Sequence, residues 1–253
     1  MTTMAAAALR FSLLVLFLLR PALAQWHVGP ESPRIQFSGY EWIVKDSGAK
    51  RVEPGGNYFS SDAVRVGADG LKLRVFEKDG RFFCPEIVSA ANFGYGTYRV
   101  EISSNVEGLA PNLTLGLFTW SDEAGEEGTH KEIDIEVGRW GNAKFNADGT
   151  RNSNSENVQF VVQPFARPEN IVRFPLPADA PESVHAFTWS YRQVHFMTSV
   201  RGALVQDRVI THRVPEPDNQ NFRINLWIAV GHLPAVGIRE VTIRKFEFEP
   251  ERK

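Results

Sequence analysis

The chain has 253 residues, and its 28 Lys and Arg against 30 Asp and Glu leave a formal net charge of -2. With no basic field it is not expected to bind nucleic acid or an anionic membrane surface. A single cysteine, Cys84, excludes an internal disulfide, so stability must come from a sizeable core, in which Cys84 reads as a small buried hydrophobe.

Residues 1–24 read as a secretory signal: Arg10 supplies the positive start, Phe11–Leu19 the apolar centre, and Ala22-Leu23-Ala24 a small-residue cleavage site before Gln25. The apolar run is about half of the roughly 20 residues that a spanning helix needs, and no later stretch is apolar enough. The expectation is an exported protein, secreted or periplasmic, with no membrane association after signal removal and with residues 25–253 forming one domain.

From residue 35 onward the pattern is short strands and turns. Ala63–Val66 and Leu71–Glu77 flank Gly67-Ala68-Asp69-Gly70, and Lys78-Asp79-Gly80-Arg81 precedes Phe82–Val88; both connections read as hairpin turns. Thr97–Ser103, Asn112–Trp120, an acidic strand, Ala143–Asn146, Asn157–Val162, His185–Ser190, Gln193–Thr198, Leu204–Val209, Arg223–Val230 and Glu240–Glu249 follow. This order predicts an antiparallel sandwich. In the last strand Val241 and Ile243 keep one phase and Phe246 and Phe248 the other, which predicts a bulge near Arg244-Lys245. Asn112-Leu113-Thr114 is a glycosylation sequon, of consequence only in a eukaryote.

The acidic strand is Lys131-Glu132-Ile133-Asp134-Ile135-Glu136-Val137. Period-two alternation puts Glu132, Asp134 and Glu136 on one face and Ile133, Ile135 and Val137 on the other. Three like charges on one face push their pKa values apart, leaving one carboxyl protonated while another stays ionised, which is the division of labour in glycosidic bond cleavage. Residues four apart on a strand are about 13 Å apart at Cα, whereas a retaining pair needs its carboxyls at about 5–5.5 Å. A concave strand and two long Glu side chains would close that gap. The same alternation also describes an ordinary solvated strand face, or oxygen ligands for calcium, although such ligands normally sit on a loop that wraps the ion.

Glu132-Ile133-Asp134-Ile135-Glu136 resembles the signature of glycoside hydrolase family 16, in the unbulged form of bacterial lichenases. The resemblance extends to Phe93-Gly94-Tyr95-Gly96-Thr97-Tyr98-Arg99-Val100, Gly116-Leu117-Phe118-Thr119-Trp120, His185-Ala186-Phe187-Thr188-Trp189 and Ile224-Asn225-Leu226-Trp227, in the family's order. It implies an all-β, concanavalin-like β-jelly roll sandwich of two curved antiparallel sheets, with a substrate groove and a retaining mechanism. Carried onto matching positions, Glu132 would be the nucleophile, Glu136 the general acid/base, and Asp134 the neighbour that shares a proton or hydrogen bond with the nucleophile. Glu86, Asn225 and Trp227 match groove residues, and Asn57 falls near a sugar-binding position.

Trp120 and Trp140 flank the acidic strand and read equally as sugar platforms or as core; His130 reads as a groove-rim residue. No metal site is expected, since no second His or Cys stands at ligand spacing from His130, and a structural calcium is not readable from the sequence. Three departures separate the chain from the lichenase-like pattern: His130-Lys131 replaces Trp-Asp, Val88 replaces an Arg, and Phe196-Met197-Thr198-Ser199-Val200-Arg201-Gly202 replaces the family's Trp-Tyr-Val-Asp-Gly hairpin. The resulting expectation is a retaining endo-β-glycosidase that acts without a cofactor, as a monomer, on a polysaccharide, with a β-1,3 or mixed β-1,3/1,4-glucan as default. A transglycosylase on the same scaffold and a non-catalytic carbohydrate-binding jelly roll are the alternatives.

Overall fold

The computed structural model describes residues 25–123, 125–141, 156–231 and 237–252. The signal reading at 1–24 and the expected strand Ala143–Asn146 lie outside the described residues. Among the described residues no helix is long and apolar enough to cross a membrane.

Two large antiparallel sheets form the sandwich. One has eight strands in the spatial order Arg34–Phe37, Tyr40–Val44, Glu86–Ser89, Asn221–Ile228, Leu113–Trp120, Ile133–Gly138, Val158–Val162 and Ile171–Phe174. The other has seven: Ala203–Ile210, Gln193–Val200, Ser183–Ser190, Gly96–Ile102, Glu240–Pro250, Gly70–Arg74 and Val64–Gly67. Aromatic side chains join the two across the core: Phe160 stacks on Phe196 with ring centroids 4.9 Å apart, and Phe222 on Phe246 at 5.0 Å. Phe160, Phe196, Phe222 and Phe246 are all buried. Cys84 is fully buried among them, and its burial pushes the thiol up to about 12, so it remains an unionised small side chain.

A small third sheet departs from the two-sheet expectation. It comprises Tyr58–Phe59, Phe76–Lys78 and Arg81–Cys84, the first and last running parallel. Two expected strands are divided to make it. Pro85 has no N–H to give to a ladder, so Phe82–Val88 breaks there into Arg81–Cys84 and Glu86–Ser89, each in a different sheet. Leu71–Glu77 divides likewise at Val75, whose N–H bonds to the carbonyl of Arg239 instead. The hairpins at Gly67–Gly70 and Lys78–Arg81 form as expected; in the second, Asp79 and Gly80 both take positive φ, the two-residue turn that matches strand twist. The register of Glu240–Pro250 shifts between Ile243 and Lys245, which is the bulge read from the change of phase. Asn112, the sequon asparagine, is 6% exposed and so is not presented for modification.

Candidate active site

The alternation in Ile133–Gly138 does what its period dictates. Ile133, Ile135 and Val137 are buried in the core, while Glu132, Asp134 and Glu136 all line one cleft on the opposite face of the eight-stranded sheet. The strand starts later than expected. His130 and Lys131 sit in the left-handed region at φ 53 and 52, and regular pairing begins at Ile133, whose N–H bonds to Thr119 Oγ1. This turn sends Lys131 out of the cleft to an ion pair with Asp218. Glu132 keeps the ladder through its carbonyl, which accepts from the N–H of Gln163.

Directly paired residues in an antiparallel sheet share a face. The register therefore lays a continuous polar row across the cleft floor: Glu86 opposite Asn225, Asn225 opposite Gly116, Gly116 opposite Glu136, Glu136 opposite Gln159, and Gln159 opposite Arg173. The next row runs Val88, Arg223, Phe118, Asp134 and Val161. A side chain at Gly116 would collide with this arrangement, since a Cβ there would lie 2.6 Å from Asn225 Oδ1. Gly116→Ala is accordingly expected to displace the Asn225 amide and lower kcat/KM by about 100-fold, the scale of a misplaced positioning group, with little loss in thermal melting. Should the cleft cleave a glycan, as the resemblance implies, steady-state kinetics check this; unchanged kcat/KM would remove Asn225 from the binding surface.

The three carboxyls differ in their surroundings. Asp134 is 4% exposed, and burial together with the Glu132 charge holds its pKa well above the usual carboxylate range. It therefore keeps its proton and donates it in a hydrogen bond to Glu132, with Gln163 Nε2 donating to Asp134 Oδ2 at 3.3 Å. Glu132 is raised to about 7, by burial first and then by Glu136 and Glu86, while Asp134's hydrogen bond and Arg223 pull it down. Glu136 is also raised by burial. Hydrogen bonds from Gln159 Nε2 and Trp140 and the charge of Arg173 oppose that shift. Arg173 braces both donors: its Nε donates to Gln159 Oε1 at 2.9 Å, and its guanidinium lies 5.1 Å from the centre of the Trp140 ring.

Glu86, Trp120, Asn225 and Trp227 line the same cleft as the carboxyls. Three other sequence-derived positions do not. Asn57 lies outside it, with its amide donating to the carbonyls of Pro54 (2.8 Å) and Ile228 (3.0 Å), so its side chain ties two segments together. His130 stacks face to face on Trp120, centroids 3.9 Å apart at 10°, which covers one face of that cleft-lining indole. Trp140 hydrogen-bonds through its N–H to Glu136, which lines the cleft.

Several cleft residues escaped the sequence reading. Lys45 is 3% exposed and donates to Glu86 Oε2 at 3.1 Å and to the carbonyl of Glu53. Burial lowers its pKa, partly offset by the attraction of Glu86. Arg223, Phe118, Trp26 and Gln25 also line the cleft. The Arg223-Ile224-Asn225-Leu226-Trp227 alternation carried the signal for Arg223, which shares its face with Asn225 and Trp227. Among the described residues no cluster of His, Cys, Asp and Glu is arranged to hold a metal ion.

No protein-family profile matches the chain, and no curated protein does. Solved structures do. The Bacillus licheniformis beta-glucanase is 20% identical, aligning 83% of this chain with 92% of its own at a TM-score of 0.60. A glycoside hydrolase family 16 endo-glucanase from Bacteroides ovatus, in complex with G4G3G-2F-DNP, is 15% identical over 82% of this chain and 94% of its own, with a TM-score of 0.56. A pseudo beta-1,3-glucanase of Mycobacterium tuberculosis is 18% identical over 83% and 91%, with a TM-score of 0.57. The chain thus has the jelly-roll fold of family 16 glucanases, in keeping with the resemblance read from its motifs.

Proposed function

We propose that the protein is an exported, cofactor-independent endo-β-glycosidase that cleaves a polysaccharide with retention of configuration, a β-1,3 or mixed β-1,3/1,4-glucan being the default substrate. The observation that carries this reading is the placement of Glu132, Asp134 and Glu136 in one cleft, with the proton of the first pair held on Asp134. Glu132, ionised and facing the cleft, attacks the anomeric carbon as the glycosidic bond breaks. Glu136, braced by Gln159 and Trp140, gives its proton to the leaving oxygen, then takes one from the water that releases the sugar from Glu132. The Mycobacterium tuberculosis neighbour, named a pseudo beta-1,3-glucanase, warns that this fold does not by itself imply turnover. What favours turnover here is the presence of all three carboxyls and of the groups that separate their protonation.

Reducing-end release by residues 25–253 from laminarin, lichenan, xyloglucan, agarose, carrageenan and chitosan, with Glu136→Gln as control, tests the proposal. Cleavage of one glycan that is lost in the variant supports it. Glycan binding without cleavage by the unaltered chain would replace it with the carbohydrate-binding reading.

The pH dependence follows from the raised carboxyls. Activity needs Glu132 without its proton and Glu136 with one, so kcat/KM is expected to follow a bell, and because both carboxyls are raised by burial, Glu132 to about 7, its optimum is expected above the ordinary carboxylate range. An optimum below pH 5 would mean that Glu132 is not the group that must lose a proton.

A further inference from the structure

The small third sheet borders a second cavity, of about 460 Å³, whose walls include Arg51, Tyr58, Arg81, Gly55 and Ile228. Aromatic rings fix its base: Tyr58 pairs with Phe83, ring centroids 5.8 Å apart, and Phe83 stacks on Phe76 at 5.4 Å. Two guanidiniums bear on the same tyrosine, the Arg81 carbon lying 5.4 Å from the ring centre and that of Arg51 5.8 Å. Both arginines are exposed, so the cavity is open to a ligand from solvent. Arg51 gives its Nε–H to the carbonyl of Gly56, inside a turn closed by two backbone hydrogen bonds between Val52 and Asn57. That holds the guanidinium in place and leaves its terminal nitrogens without a protein partner among the described residues. Arg81 has the Tyr58 ring and, among the described residues, no acidic partner.

The acids nearest in sequence do not neutralise this pair. Glu53 lines the catalytic cleft instead, and its Oε2 accepts from the N–H of Gly55 at 2.7 Å. Asp79, in the turn beside Arg81, is offset by Lys78, which pairs with Arg81 across the hairpin. The chain as a whole carries a formal charge of -2, so the positive field here is local. Two cations held at one ring without a counter-ion repel each other, and an oxyanion in the cavity they both line would relieve that. Guanidinium forks suit carboxylate and sulfate oxygens, and stacking on an aromatic face leaves their edge N–H groups free to donate.

The cavity and the catalytic cleft are divided by a single turn. Glu53 and Pro54 line the cleft, and the next residues, Gly55, Gly56 and Asn57, line the cavity. On the facing strand Trp227 lines the cleft and Ile228 the cavity. Gly55 sits at the contact, with φ 68, and a Cβ there would lie 3.0 Å both from the Trp227 ring and from the Ile228 carbonyl oxygen. Glycine is what lets the turn pack this closely, so the wall between the two spaces is thin.

We propose that this cavity is an anion subsite of the glycan-binding surface: Arg51 and Arg81 bind an oxyanion substituent, a carboxylate or a sulfate ester, on a sugar unit lying past Trp227 from the catalytic carboxyls. The glycan is taken from the glycosidase reading, whereas the anion site stands on the two arginines and their cavity. The favoured polysaccharide is then an acidic one rather than a neutral glucan. Its charged unit lies away from the bond that is cleaved, because Glu86, Glu132 and Glu136 in the cleft would repel it there.

Laminarin, carboxymethyl laminarin and sulfated laminarin share one backbone and differ in charge. Their affinities are measured by titration calorimetry in the Glu136→Gln background, which needs no turnover, with and without Arg51→Gln and Arg81→Gln together. One charged form is expected to bind about tenfold more tightly than neutral laminarin, the scale of an added charge-assisted hydrogen bond at an open site, and the double substitution to remove that gap. Preference for the sulfated form assigns a sulfate ester, and preference for the carboxymethyl form a carboxylate. Equal affinity for all three forms, or a gap that survives the double substitution, overturns the site. Should the double variant fail to fold, Arg81→Gln alone is expected to narrow the gap about threefold, and an unchanged gap overturns the site in its place. A chain that cleaves no glycan yet shows the gap would sink the proposed function and keep the anion subsite; cleavage of neutral laminarin with no gap would do the reverse.

Discussion

Glu132→Gln is expected to abolish turnover, by about 10⁴-fold or more, and at the same time to make the protein more stable at pH 8. On the proposed mechanism, the loss of turnover follows from removing the attacking oxygen. The gain follows from linkage. Glu132 ionises near 7 in the folded chain against an ordinary value of 4.5, and Asp134 and Glu136 are raised with it. The unfolded chain gives up these protons first, so the folded state holds more protons from about pH 4.5 upward. Stability attached to these groups is therefore complete below the unfolded values and declines as pH rises through the folded ones. At pH 8 the cleft is charged, and the uncharged amide relieves it by on the order of 1–3 kcal/mol, which is several degrees in Tm. At pH 4 the two proteins should melt together. Thermal melts at both values check this, and equal Tm values at pH 8 would show that the cleft carboxyls are not under strain. Such a trade of stability for function is common where like charges are held together.

Glu107→Ala is expected to carry the largest loss of stability, about 3–5 kcal/mol or on the order of 10 °C in Tm. Glu107 and Arg139 are 3% exposed each and are joined at 2.8 Å. Arg139 directly follows Ile133–Gly138 and precedes Trp140, so this pair anchors the end of the acidic strand to the turn Val106–Gly108. Taking away the carboxylate leaves a buried guanidinium that has lost an ionic partner, which costs far more than the net worth of the pair. Because the Trp140 hydrogen bond lowers the pKa of Glu136, the limb of the pH profile that Glu136 sets should move up in the same variant, where its protein remains folded. Urea titration gives the stability, and a loss under about 1 kcal/mol would mean that water reaches Arg139 and replaces the carboxylate.

Local alternation was enough to read which side of Ile133–Gly138 faces the cleft, since a period of two leaves no choice once one face is buried. The bulge near Lys245 was legible for the same reason: a change of phase within one strand can only be absorbed by an extra residue. The hairpin Arg34–Phe37 to Tyr40–Val44 went unread although Ser38-Gly39, both at positive φ, is a recognisable two-residue turn. Ile171–Phe174 offered too short a run to be distinguished from a loop. Pro85 could have divided Phe82–Val88, because a proline inside a run demotes it.

The remainder was illegible because it depends on register between strands far apart in sequence. Nothing in the local run around Arg173 places it behind Gln159, or Arg223 beside Trp120. The same holds for Asn57, whose partners at Pro54 and Ile228 span 171 residues of sequence in the second case. Trp140 shows the limit most plainly: the choice considered was ring platform or core, and its N–H on Glu136 was not foreseen.

The most direct test of the two-carboxylate account is the anomeric configuration of the first product, followed by proton NMR while the 25–253 chain cleaves its preferred oligosaccharide. Glu132 as nucleophile and Glu136 as acid/base predict that the β anomer appears first and then equilibrates with the α form. The α anomer appearing first would mean that water attacks directly, and would contradict a covalent intermediate on Glu132.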